Sequence, residues 1–104
     1  QQVLLGHYKI DRNVVETTNG VFVQIHADKD PMEWEITMDA IHWYRLLNGK
    51  MSEYGMTQIS RDASNNITKV GCRQVVEQND SAITWIQIAN GQDGPWYISY
   101  IMSK

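Results

Sequence analysis

Few side chains in this sequence can do chemistry, and their spacing limits what that chemistry could be. The histidines His7, His26 and His42 stand too far apart for an i, i+4 ligand pair. A zinc site would need the fold to bring them together, with an acid as fourth ligand. The acids Asp28, Asp30, Glu33, Glu35 and Asp39 crowd one segment but lack the permissive glycine and fixed offsets of a calcium loop. Glu33 and Glu35 alternate with apolar neighbours, which predicts the solvated outer face of a strand. Cys72 is the only cysteine, so no internal disulfide is possible. Beside Val70 in an apolar run, it is expected to be buried and inert, with Arg73 facing away from it. Gly-x-Ser-x-Gly, a phosphate-binding glycine loop and His-Glu-x-x-His are all missing. The expectation is therefore no catalytic residue, no metal and no cofactor. An enzyme built on a histidine–acid pair is the last of three function classes.

The aromatics are the richer signal. Trp85, Trp96, Tyr97 and Tyr100 crowd a C-terminal hairpin whose arms, around Ala82–Ala89 and Trp96–Met102, flank a turn over residues 90–95. Ile83, Trp85 and Gln87 share one face of the first arm; Trp96, Ile98, Tyr100 and Met102 share one face of the second. Trp96 and Tyr97 must point to opposite faces, so one of them lies away from the main core. These four are the candidate partner- or ligand-binding residues.

Other elements must position them. Val3–Ile10 predicts a first strand closed by Asp11-Arg12-Asn13. Val14–Thr18 and Val21–Ala27 predict a hairpin turning at Asn19-Gly20, the pair suited to a type I′ turn. Met32–Met38 alternates strictly and predicts a strand with Trp34 on its buried face. Beyond it Ala40, Trp43, Tyr44, Leu47, Met51 and Tyr54 recur at the helical period, which predicts a helix over residues 40–54 with Asp39 as N-cap and Gly55 as stop. A meander follows: a short strand 56–60, a long strand 67–77 and the closing hairpin. The expected fold is α+β: an antiparallel, curved sheet of about six to eight strands packed on or around one central helix, in a single domain spanning residues 1–104.

Composition narrows the function further. With 104 residues, 42% hydrophobic and 20% charged, the chain is an ordinary one-domain globular protein. A net charge of −3 and scattered basic residues argue against nucleic acid. No run approaches the roughly 18 apolar residues of a membrane-spanning helix. The start Gln1-Gln2 fits a processed secreted or periplasmic chain, or a fragment of a membrane-anchored one. Asn66-Ile67-Thr68 and Asn79-Asp80-Ser81 match the glycosylation pattern at expected turns. The leading expectation is an extracytoplasmic, non-catalytic domain that binds another protein, as a hetero-complex or homo-dimer, through exposed Trp96 or Tyr97. The alternative is a lipocalin-like or sensory domain holding an apolar small molecule, such as a lipid or bile-like amphiphile, in a cavity lined by Met38, Met51, Trp85 or Tyr100.

Overall fold

The computed structural model describes residues 3–17, 19–25, 30–88 and 94–104, and every regular element among them is a β-strand. In chain order these are β1 Gly6–Thr17, β2 Gly20–Ile25, β3 Met32–Ile36, β4 Ala40–Leu47, β5 Lys50–Arg61, β6 Ile67–Val70, β7 Arg73–Asn79, β8 Ala82–Gln87 and β9 Trp96–Ser103. Each pairs antiparallel with its neighbours, in the order β1-β3-β4-β5-β6-β7-β8-β9. β9 then returns to β1, from Lys9 opposite Ser103 to Glu16 opposite Tyr97. Eight strands so close a barrel, which removes the unpaired edges of an open sheet. β2 lies outside the ring. It pairs with the far half of β1, from Arg12 opposite Ile25 to Thr17 opposite Gly20, while β3 takes the near half. Its Val21, Phe22, Val23 and Ile25 are all exposed. Among the described residues no helix is long and apolar enough to cross a membrane.

The α+β expectation is therefore corrected to an all-β barrel, and the helix over 40–54 is a β-hairpin. Asn48 and Gly49 turn it, with φ of 53° and 77°, between paired Leu47 and Lys50. Two successive left-handed residues are the signature of a type I′ turn, and they cannot lie inside a right-handed helix. The helical stripe was a by-product of density: with aromatic and aliphatic residues on both faces of two strands, matches at i+3 and i+4 arise regardless. The proposed cap is also a turn feature. The Thr37 hydroxyl, not Asp39, accepts from the Asp39 and Ala40 amides and tightens the β3–β4 turn.

Smaller corrections have similar causes. Residues 67–77 do not form one strand; the chain reverses at Gly71-Cys72. Gly71 there has φ of 62°, and an added Cβ would meet the Thr57 methyl at 3.1 Å. Cys72 is consequently exposed in a turn, not buried in a strand. Asp11-Arg12-Asn13 does not end the first strand. It holds a β-bulge between Ile10 and Arg12 that shifts the alternation by one residue, so Tyr8 and Ile10 are buried before it and Asn13 after it. Gly20 belongs to β2, opposite Thr17, and not to the centre of the turn. His26 and most of the residue 90–95 turn lie outside the described residues. The alternation through Trp34 and Ile36 and through Ile98 and Met102 does place these side chains in the core.

Candidate functional site

The two ends of the barrel are built differently. At the end where β3 meets β4, the interior is filled by Leu4, Ile36, Ile41, Ile67, Ile83 and Met102, all nearly or fully buried. Arg61, the last residue of β5, closes this end. Its guanidinium donates to the backbone carbonyls of Met38 (3.0 Å), Asn65 (2.6 Å), Leu4 (2.8 Å) and Thr37 (3.0 Å). One planar donor group so ties the N-terminal segment to the β3–β4 and β5–β6 turns. Sequence reasoning passed over Arg61, because its acceptors are backbone atoms up to 57 positions away.

The opposite end holds a cavity of about 220 Å³. Strand alternation builds its wall: Trp34 comes from β3, Trp43 from β4, Trp85 from β8 and Tyr100 from β9, each on the inward parity of its strand. Trp34 is the hub. Its ring meets Trp43 edge-on at 4.8 Å, stacks near-parallel to Trp85 at 6.0 Å and lies tilted to Tyr100 at 4.8 Å. Tyr100 and Trp85 are 4.9 Å apart. Such offset and edge contacts satisfy the ring quadrupoles. Met32 and Thr57 complete the wall, while Tyr54, Arg73 and Gln87 also line it. Tyr54 is the extra residue of a β4–β5 bulge, since Trp43 pairs with Gly55 and Tyr44 with Glu53.

Hydrogen bonding within this cluster is uneven. The Trp43 indole donates to the Thr57 hydroxyl at 2.9 Å. The indole N–H groups of Trp34 and Trp85 are shielded from solvent and have no acceptor among the described residues. A buried donor left unpaired costs about 1–3 kcal/mol, so two beside one cavity are a feature that stability alone does not explain. Burial pushes the Tyr100 phenol above its ordinary pKa, against the opposing pull of the Arg73 charge, so it is a neutral donor at physiological pH. Arg73 itself lies with its guanidinium 5.7 Å from the centre of the Trp85 ring. A wider depression of about 570 Å³, lined by Cys72, Gln74, Ile86 and Ile88, shares Arg73 and Gln87 with the cavity and adjoins its mouth.

Of the four sequence-predicted site residues, Trp85 and Tyr100 thus meet in the cavity. Trp96 starts β9, opposite Gln87, and is partly buried on the inward parity. Tyr97 points outward and is 39% exposed, between Ile86 and Glu16 on the flanking strands. Met38 is exposed in the β3–β4 turn at the far end and Met51 lies in the β4–β5 hairpin, so neither lines the cavity. Trp34 and Arg73 were missed as site residues. The first read simply as core; the second read as facing away from Cys72, which is true of a strand but not of the turn that is there.

The histidines and acids meet elsewhere, on the outer surface. His7 on β1 lies opposite Glu35 of β3, and its two ring nitrogens contact the carboxylates of Glu33 and Glu35 (3.1 Å to Glu35). Only the imidazolium can donate from both nitrogens at once. The Glu33 hydrogen bond, helped by Glu35 and opposed by slight burial, raises the His7 pKa above its usual 6.5. His42 Nδ1 lies 3.4 Å from a Glu53 oxygen without the alignment of a hydrogen bond. Among the described residues no three such groups are placed to hold a metal ion.

The His7 cluster carries a pH prediction. Because folding raises the His7 pKa, its stabilisation is fully present below about pH 6.5. It is lost as pH rises through the higher folded value. With His7 nearly half exposed, solvent screening keeps the effect below about 1 kcal/mol. Melting temperatures of the native chain and His7→Gln should differ most near pH 5.5 and converge at alkaline pH. A difference constant across that range contradicts the assignment.

Comparison of the chain with protein-family models, with curated proteins and with solved structures finds no match.

Proposed function

We propose that the barrel is a small-molecule binding protein whose ligand sits in the aromatic cavity at its open end. The observation that carries this reading is the ring of aromatic side chains, Trp34, Trp43, Trp85 and Tyr100, set on the inward parity of four strands around a space of about 220 Å³. Closed eight-stranded barrels have room for their own side chains and one small ligand, which agrees with the position of the cavity in the barrel mouth. Its volume, about seven waters' worth of liquid, is below the roughly 300–1,000 Å³ of drug-sized pockets. A compact ring or short-chain molecule suits it; a bile-like body or a full lipid chain does not fit inside.

The protein-partner reading asks for Trp96 or Tyr97 at the surface; Tyr97 is exposed there and Trp96 is half-buried, which supports that reading as the second one.

Titrating the protein with single-ring probes (phenol, indole, benzoate and benzamide) while following tryptophan fluorescence tests the reading. For ligands with so few atoms, saturable binding with a Kd of about 10 μM to 1 mM is expected for at least one probe. Tyr100→Ala should weaken it at least threefold. Absence of saturation by every probe up to about 5 mM overturns the reading.

A further inference from the structure

We propose that the ligand is an organic anion: a carboxylate, or a similarly small oxyanion, carried on a compact ring, with Arg73 taking the charge at the cavity mouth. This rests on the small-molecule reading above and assigns it a chemical class.

Three observations converge on a negative charge. Among the described residues the cavity lining contains one cation, Arg73, and no carboxylate. Around it are neutral groups able to donate: the phenols of Tyr54 and Tyr100, and the Gln87 amide. The Thr57 hydroxyl oxygen, an acceptor in the same wall, already takes the Trp43 indole. The site therefore has donors in excess, and the chemical complement of excess donors is a group that only accepts. A carboxylate offers two oxygens with about four lone-pair directions and no proton.

Arg73 is placed for this task. It begins β7 directly after the Gly71-Cys72 turn, and its position opposite the end of β8 puts it at the rim. No hydrogen bond or ion pair engages its guanidinium among the described residues. What holds it is the face of Trp85, 5.7 Å away, which orients the planar fork without using its N–H donors. It also borders the depression outside the mouth, so an incoming anion meets it on the way in. A cationic ligand is disfavoured on the same grounds. Aromatic walls do attract quaternary ammonium groups, but here the Trp85 ring face is already taken by a like charge.

Paired probes separate the class from the site. Benzoate and benzamide have nearly the same shape and differ in charge, and phenyltrimethylammonium presents the opposite charge. Calorimetry on the full chain should give benzoate a Kd at least tenfold below that of benzamide. Arg73→Gln, a change at an exposed rim residue, should bring the benzoate and benzamide Kd values to within about twofold of each other. Retention of the melting temperature would verify the variant's fold. Equal binding of benzoate and benzamide, or a preference for phenyltrimethylammonium, overturns the anion assignment while leaving the cavity reading intact. A benzoate preference that survives Arg73→Gln overturns the role of Arg73. Failure of all three probes while phenol or indole binds overturns the anion assignment alone; failure of phenol and indole as well overturns the cavity reading along with it.

Discussion

Replacing Trp34 by alanine is expected to remove about 4 kcal/mol of stability, a large share of what a domain of this length possesses. Trp34 is fully buried and touches Trp43, Trp85 and Tyr100, so truncation empties the junction where four strands lean on one ring. Large aromatic-to-alanine changes in cores cost about 3–5 kcal/mol, and total stabilities are about 5–15 kcal/mol. The upper part of the cost applies because the surrounding rings sit on rigid strands and cannot collapse inward. Trp34→Phe is the informative companion. It loses part of the packing but also deletes an unpaired buried donor, and these effects oppose each other, so a net loss of under about 2 kcal/mol is expected. Urea unfolding of both variants checks the pair. A loss below about 1.5 kcal/mol for Trp34→Ala would show that the cluster is not the hub described.

The second large effect belongs to Arg61. Arg61→Ala should cost about 2–4 kcal/mol, seen as a fall in melting temperature of roughly 10–25 °C. Four backbone carbonyls from three separate segments share this guanidinium, and hydrogen bonds to a charged group are individually stronger than neutral ones. Burial lowers the Arg61 pKa, which marks the charge as partly removed from water, and its loss leaves the Leu4 and Thr37 carbonyls to find new partners in a half-buried setting. Arg61→Lys should recover little, since an ammonium cannot match the span of the planar fork. Lys50→Ala, at the exposed tip of the β4–β5 hairpin, should stay within about 0.5 kcal/mol and serves as the control. A loss for Arg61→Ala no greater than that of Lys50→Ala would contradict its role as the closure of the barrel.

Arg61 also shows what a sequence of this kind withholds. Short-range pattern was legible: the strict alternation over Met32–Met38 gave β3 and the burial of Trp34, and the turns after Gln78 gave the closing meander. Trp85 and Tyr100 were singled out by aromatic density, and both wall the cavity. Long-range pairing was not legible. The β1–β9 contact that closes the ring joins the two ends of the chain, and nothing in either strand specifies a partner at that separation.

The helix assigned to residues 40–54 failed for a different reason. Three Asn-Gly pairs are present, and the sequence reading assigns the type I′ turn to Asn19-Gly20. The geometry of that turn occurs at Asn48-Gly49, where the helical stripe had overridden it. A pair requiring two left-handed residues is stronger evidence than a stripe drawn through a segment with apolar residues on both faces. That one decision changed the fold class and concealed the cavity. With 40–54 as a helix, Trp34, Trp43 and Tyr54 have no reason to face one another. As a hairpin, they become its walls.

The indole N–H resonances give the most direct test of the central claim. The chain has four tryptophans and so four such signals, assignable by single Trp→Phe replacements. On titration with benzoate, the Trp34, Trp43 and Trp85 signals should shift together, because their rings wall the cavity that the ligand ring enters. The Trp96 signal should move far less. Unmoved Trp34 and Trp85 signals at a benzoate concentration that saturates binding would place the ligand elsewhere and contradict the account.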